Sequence, residues 1–395
     1  MKYGIGALIR KVHYSIPPEI RNYYRFIDVF IRRIRNYFMP AWYYTFKDGD
    51  SGGHFTFMHI GWDRKLRHYW LNRFSDDYEI ISESRKQVSW SIAGFLNNNT
   101  NNIDLAIIES SEKAISGKYT DSFLLPRWME MELDIEYSLK KSRIKNIIRN
   151  IKKHSLEYEL REGIEAFDLF YHTMYKPFVI KRHGKSADIP DYKSLSRKFR
   201  SKGSSLFFII KENEPVAAAF IEVKSSTCRL SFFGIKDGSD KIFKMGVIGA
   251  LYYFVMLYYY EKGNKKLMVG VSMPVLFDGV MESKMQIGAK PYLKDIGGMT
   301  KFYLMPFNAR PLTLKVLKSN PLFYLSGSAL NIALFIGAED YATKEEFFKF
   351  FNRLKTENVE MTRVFYFDNS EKITKWINEE GIENIEFIKY DKEIG

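Results

Sequence analysis

Cysteine is almost missing from this sequence. Cys228 stands alone among 395 residues, so no internal disulfide and no cysteine-based zinc site can form. It falls in the apolar pattern "TCRLSFFGI", which reads as a buried structural thiol rather than a nucleophile. Long apolar runs are missing too. The greasiest stretch, "GVIGALYYFVMLYYY", falls short of the roughly 18 to 20 residues that a membrane span requires. The opening "MKYGIGALIRKVHYS" is interrupted by Arg10 and Lys11 before a secretory core could develop. These absences lead to the expectation of a cytoplasmic chain, with peripheral contact at the inner membrane face as its closest approach to lipid. No repeat of solenoid period occurs, and no metal is expected.

What is plentiful is positive charge and aromatic surface. Sixty lysines and arginines against 47 acidic residues give a net charge of +13, which points to anionic partners without choosing among nucleic acid, acidic membrane and phosphorylated small molecules. A hydrophobic content of 46% with 16% aromatics supports a large core, and 395 residues suggest two or three units.

The chain reads as four segments. Residues 1–45 form a basic arm. From Pro17 to Phe38 an amphipathic helix sets Ile20, Tyr23, Tyr24, Ile27, Phe30 and Ile31 against Arg21, Arg25, Arg32 and Arg35. It reads as a helix packed on its own domain with a solvated basic face, or as an anchor on anionic lipid. Residues 46–139 are α/β material: "RKQVSWSIAGFL" looks helical, "NNNTNN" at Asn97 to Asn102 looks like a loop, and "NIDLAIIES" looks like a strand. Residues 140–310 open with "KKSRIKNIIRNIKKH", where Ile144, Ile147, Ile148 and Ile151 form one stripe and cations cover the rest. That face either receives phosphates or is simply solvated. The pattern that follows alternates as βααβββαβαββ, with "ENEP" turning the first pair of a meander. In its first helix Phe167, Phe170, Tyr171, Met174 and Tyr175 recur at helical steps until Pro177, which should break or kink it before Lys181, Arg182 and His183. Residues 311–395 read as a compact βαβαβ lobe with a small parallel sheet.

The order βααβββαβαββ is that of the GNAT acyltransferase superfamily, and the chain resembles its enlarged Fem-type branch, the peptidoglycan-bridge aminoacyltransferase-like proteins. The resemblance rests on "LLPRWMEMELD", the basic helix after it, "FYHTMYKPFVIKRHG", "GIKDG" and "FDGVMESKMQIGA". It covers roughly residues 120 to 308, and it implies a mixed α/β (α+β) fold. Two GNAT-like units are expected, the first degenerate, with the small C-terminal lobe added.

The same resemblance implies a site. In this superfamily the strand after the meander splays from its parallel neighbour and leaves backbone groups free for an acyl-pantetheine arm. Here that pair would be "LSFFGI" beside "LMVGV", with Phe233, Gly234 and Ile235 facing the donor. The pyrophosphate would lie at "KMGVIGA", on Lys244, Gly246, Val247 and Gly249, although glycines entering an apolar helix also serve packing. The usual pattern carries glycine where this chain has Val247, and Fem-type relatives use aminoacyl-tRNA instead. Both acyl-CoA (acetyl-CoA) and aminoacyl-tRNA therefore stand as donors. Amine attack on a thioester or ester needs a base, an oxyanion donor and a proton for the leaving group. His183 is the first choice as base or substrate contact. Tyr171 and Tyr175, one turn apart, present hydroxyls to the cleft or pack in the core. Arg182 suits an anionic acceptor. Asp278 caps its helix or orients the acceptor, and Lys284 contacts phosphate or is solvated.

The expected function is N-acyl transfer to an amine on an envelope precursor, sugar or peptide, with tRNA as a partner if the donor is aminoacylated and no DNA partner. A non-catalytic GNAT-like binding module is the alternative. A basic protein of RNA or membrane surfaces is a third reading.

Overall fold

The structure, a computed structural model, describes residues 39–49, 51–75, 77–88, 92–99, 102–109, 122–184, 189–200, 203–224, 227–292, 301–308, 310–337, 340–354, 356–366 and 371–389. The basic helix expected at 17–38 lies outside them. The described residues fall into two compact units, one reaching Phe123 and including Phe302–Leu314, the other made of Leu124–Lys301 and Lys315 onward. Among the described residues no helix is long and apolar enough to cross a membrane.

The first unit contains β1 (Pro40–Asp48), β2 (His54–Ile60), helix α1 (Arg64–Ser75), β3 (Tyr78–Gln87), α2 (Ile92–Asn99), β4 (Leu105–Ile108) and β13 (Lys301–Pro306). Its strands lie in the order β13-β4-β2-β1-β3. The β1–β2, β1–β3 and β4–β13 pairs are antiparallel, whereas β4 runs parallel to β2. Asp63 starts α1 by accepting the Lys65 and Leu66 amides at 3.0 and 3.1 Å. The helix then buries Leu66, Trp70, Leu71 and Phe74, and Phe74 stands edge-on to Phe46, Phe55 and Phe57 at 5.2 to 5.8 Å. Burial of each such ring stabilises the unit by about 1.5–3 kcal/mol. "RKQVSWSIAGFL" is only partly helical, because Arg85–Gln87 extend β3 and the helix starts at Ile92. That helix also absorbs Asn97–Asn99, which the polar tract had suggested as loop.

The second unit contains β5 (Phe123–Pro126), β6 (Met129–Asp134), α3 (Ile135–Leu139), α4 (Ser142–His154), β7 (Glu157–Arg161), α5 (Ile164–Asp168), a π-helix (Leu169–Tyr175), α6 (Lys176–His183) and α7 (Tyr192–Phe199). Then follow β8 (Ser204–Lys211), β9 (Glu214–Lys224), β10 (Thr227–Ile235), α8 (Asp240–Lys244), α9 (Val247–Glu261), β11 (Lys266–Ser272), α10 (Gly279–Gln286) and β12 (Lys290–Pro291). One sheet runs β12-β6-β11-β10-β9-β8-β7. The meander β7 to β10 is antiparallel, and its tightest turn places Glu212 and Asn213 in left-handed backbone, at φ 52° and 63°. β11 is parallel to β10, and β6 closes the far side antiparallel to β11.

The strand order expected from sequence is therefore present up to β12, with a crossing of strands between units. β6, which sequence boundaries placed in the first domain (46–139), lies beside β11 in the second unit. β13, placed in the domain 140–310, lies beside β4 in the first. Alternation explains β6: Met129, Met131 and Leu133 are buried on one face, and Glu130 and Glu132 point to the other.

The C-terminal βαβαβ pattern forms as read, as β15 (Ala329–Ile336), α11 (Lys344–Leu354), β16 (Met361–Tyr366), α12 (Glu371–Glu379) and β17 (Ile385–Lys389), with the three strands parallel; β14 (Leu322–Ser326) precedes it and was not read from the sequence. The pattern is not a separate lobe, however. A single apolar cluster runs from Met129 and Ile147 through Leu251 to Phe347 and Ile377, so residues 315–391 share the core of the second unit. The other face of the sheet packs Phe208 and Phe220 against Phe167, Phe170, Tyr171 and Met174.

Candidate active site

The feature that organises the second unit is a fork between β10 and β11. Their ladder registers Cys228 with Leu267 and Arg229 with Met268, and then stops. Immediately beyond, β10 bulges between Leu230 and Phe232 against β9, and β11 slips register between Met268 and Val271 against β6. An irregularity on one strand bends it, and two at the same level turn a parallel pair into a V. Gly270 sits in the β11 irregularity at φ 76°, a backbone region that disfavours any side chain. The corresponding pair in the first unit, β2 and β4, is closed from Phe57–Leu105 through to Ile60–Ile108.

Lys284 occupies the apex of the fork. Asp278 caps α10 through the Val280 and Met281 amides, at 3.0 and 3.3 Å, and so fixes the helix that carries the lysine. The Lys284 side chain is 4% exposed, and its Nζ donates to the Val271 carbonyl at 2.8 Å and to Ser272 Oγ at 3.1 Å. A Cβ built on Gly270 would lie 3.8 Å from that nitrogen and 3.5 Å from the Leu230 carbonyl, so the amine sits beside Gly270, past the point where the ladder stops. Burial pulls its pKa from 10.5 to about 7, with the Asp278 carboxylate opposing weakly. An ammonium has three donors, so one remains for a ligand.

A strip of charge marks the opposite face at the same level. Arg229 makes a two-pronged pair with Glu130 at 2.6 and 3.0 Å. Glu222 is 5% exposed and accepts from the hydroxyl of Ser231, the bulge residue, and from Lys198 at 2.6 Å. Sequence reasoning missed Glu130 and Glu222. The signal was available, since acidic residues inside otherwise apolar strands must find partners.

The fold is GNAT-like. The four-stranded antiparallel meander, its parallel fifth partner and the parting of that last pair carry this description. No family model matches the chain, and no curated protein does. Among solved structures, FemX overlays with a TM-score of 0.34 and 11% identity, over 66% of this chain and 88% of its own. A DUF2156 domain from Agrobacterium fabrum gives 0.32 and 11%, over 73% and 92%. A GCN5-related N-acetyltransferase from Kribbella flavida gives 0.29 and 8%, over 76% and 63%. Likenesses this distant decide nothing about activity.

Of the residues expected to form the GNAT-like site, the structure brings some to the fork and sends others elsewhere. Lys284 is there, buried rather than solvated, and Asp278 acts as the cap. Gly234 serves close packing: a Cβ there would lie 2.4 Å from backbone atoms of Met174 and Tyr175, so its role is to let β10 touch the π-helix. Phe233 packs on Phe178 and Tyr252, and Ile235 is in the core.

The glycines of the expected phosphate cradle have a packing role. A Cβ on Gly246 would meet Asn150 at 2.9 Å, and one on Gly249 would meet Ile147 at 3.0 Å, so these glycines admit helix α4 against α9. Val247 is fully buried, while Lys244 is exposed at the end of α8.

The aromatic helix also departs from expectation. Pro177 does not break it, because the seven-residue π-helix before it passes directly into α6 with Pro177 in the first turn. Tyr171 and Tyr175 are core phenols: the Tyr171 hydroxyl donates to the Pro190 carbonyl at 2.9 Å, and the Tyr175 ring packs on Phe170 and Phe232. Arg182 lies 3.9 Å over the Phe243 ring and 4.0 Å from Asp240, whose other oxygen takes Lys181 at 2.8 Å. These cations fasten α6 to α8, and Lys181 above all holds the Asp240 carboxyl below its ordinary range. The His183 backbone ends α6; its side chain lies outside the described residues. Cys228 is buried, which pushes its thiol up to about 12 and suits a structural role.

Proposed function

We propose that the chain is an acyltransferase acting at the β10–β11 fork, moving an acyl or aminoacyl group from a thioester or ester donor to an amine. The observation that supports this reading is a parted parallel pair with a buried, doubly anchored lysine amine at its apex. The donor arm would pair with the free inner edges of β10 and β11, adding to each the ladder bonds its neighbour does not supply. Its carbonyl would then lie near Lys284. Attack by the acceptor nitrogen forms the C–N bond and places negative charge on the carbonyl oxygen. The third N–H of the Lys284 ammonium would meet that charge in a water-poor site, where such donors act most strongly. Collapse of the intermediate breaks the C–S or C–O bond, the leaving group takes up a proton, and the nitrogen loses one. We assign that proton to Glu222, which accepts from Ser231 at the bulge.

The donor carrier would be acyl-CoA or aminoacyl-tRNA, and the acceptor an amine on an envelope precursor, sugar or peptide. The experiment is incubation with acetyl-CoA, longer acyl-CoAs and aminoacyl-tRNA against an amine panel, read by mass spectrometry. Donor-dependent mass gain on an amine is the expected outcome. Absence of product, together with no thermal shift from either donor class, overturns the reading. A shift without turnover would establish the non-catalytic binding module instead.

A further inference from the structure

The closed first unit carries a polar cluster that the fork chemistry does not use. Trp42 on β1 lies directly across from His59 on β2 and, on its other side, from Arg85 on β3, so these three side chains form one row on the face covered by α1. Arg67 of α1 sits 4.0 Å above the Trp42 ring, and Arg85 lies 5.0 Å from it. Among the described residues the buried Trp42 Nε1, His59 Nδ1 and Arg67 Nε have no hydrogen-bond partner. His59 is 0% exposed, and its Nε2 lies 3.2 Å from Glu109 Oε1, out of line for a hydrogen bond. Glu109 is itself occupied by the Asp63 amide at 2.7 Å and the Trp62 amide at 3.2 Å.

Buried polar atoms are paired in the great majority of cases, so three orphans in one place ask for a common partner. An indole N–H and a guanidinium N–H can only donate, and imidazole can donate from Nδ1. Two guanidinium groups beside the same ring add positive charge in a setting walled by aromatics. The nearby carboxylates are engaged elsewhere, Glu109 by two backbone amides and Glu83 by the Tyr44 hydroxyl at 3.3 Å, so the orphan donors describe a site for an oxyanion, and phosphate offers them more acceptor oxygens than a carboxylate does.

We infer that the first unit binds a phosphate-type oxyanion between Trp42, His59 and Arg67, with Arg85 at its mouth. This does not depend on the acyltransferase reading. The probe is inorganic phosphate on the full chain with ¹⁵N-labelled indoles. The Trp42 cross-peak is assigned by Trp42→Phe, and sodium chloride of equal ionic strength is the control. Phosphate should move the Trp42 peak saturably, and Arg67→Gln should weaken the effect about tenfold or more, the size of a lost charge-assisted hydrogen bond. Acetate run in parallel separates a carboxylate site, seen as equal or stronger response, from a phosphate site. A Trp42 peak that phosphate leaves where chloride leaves it would overturn the inference, as would an undiminished response in the variant. Should Arg67→Gln lose its dispersed indole spectrum, Arg85→Gln on the exposed edge strand gives the same comparison, with a weakened response expected and an unchanged one counting against the site.

Discussion

Replacing Lys284 with methionine, similar in length but unable to carry charge, separates what this residue costs the fold from what it gives the chemistry. Its pKa falls from 10.5 to about 7 on folding, so in the window between those values the unfolded chain binds more protons than the native one. Stability of the wild type therefore rises with pH across that window, and the burial penalty is complete only below its lower end. Integrating that linkage gives a wild-type gain of about 2 kcal/mol between about pH 7 and pH 9. The methionine variant has no such proton to release. It loses the bonds to Val271 and Ser272, but that loss does not vary with pH. Urea unfolding of both proteins across that range should show a gap that shifts towards the wild type as pH rises. Turnover at the optimum should fall by about 10²–10³ in the variant, as for removal of an oxyanion donor, while donor binding by thermal shift persists. Stability curves that stay parallel would show that burial does not lower the pKa of this amine, and unchanged turnover would remove it from the chemistry.

Other substitutions test neighbouring parts of the argument. Gly234→Ala would drive a methyl into the Met174–Tyr175 backbone and should cost about 2 kcal/mol or more, measured by denaturant midpoint. Gly249→Ala meets only the Ile147 side chain and gains helix propensity, so stability should change by less than about 1 kcal/mol with donor affinity intact; a large affinity loss at unchanged stability would restore the phosphate cradle. Asp278→Ala should cost about 1 kcal/mol as a lost cap. It also removes the carboxylate that raises the Lys284 pKa, so the alkaline fall in turnover should move to lower pH. Cys228 should resist alkylation in the native protein and react once the chain unfolds, checked by mass after timed labelling.

Much of the scaffold was legible because its strands and helices carry clean periods. The meander, its turn, the isoleucine stripe of α4 and the C-terminal alternation all form where the pattern places them. Lys284 and Asp278 were legible as a pair on one short helix, but not the depth at which the lysine is buried. That depth depends on bulges in β10 and β11, and a bulge leaves little trace in a sequence beyond Gly270. The candidate ligands that the fold packs against protein share one cause. Tyr171, Arg182, Gly246 and Gly249 are chemically able to bind ligands, and in the fold each finds a protein partner first, at Pro190, Phe243, Asn150 and Ile147. Sequence states what a side chain can do; its nearest neighbour decides whether that capacity is spent.

The crossed strands set a timetable for synthesis. β4, "LAII", is fully buried in the finished unit, yet its outer edge is paired only when Tyr303 reaches Ile108. Until the ribosome has delivered that far segment, an unshielded apolar edge persists on the nascent amino-terminal portion, which is a recognised invitation to aggregation. A fragment ending before residue 302 should therefore need chaperone protection that the whole chain, once released, can do without.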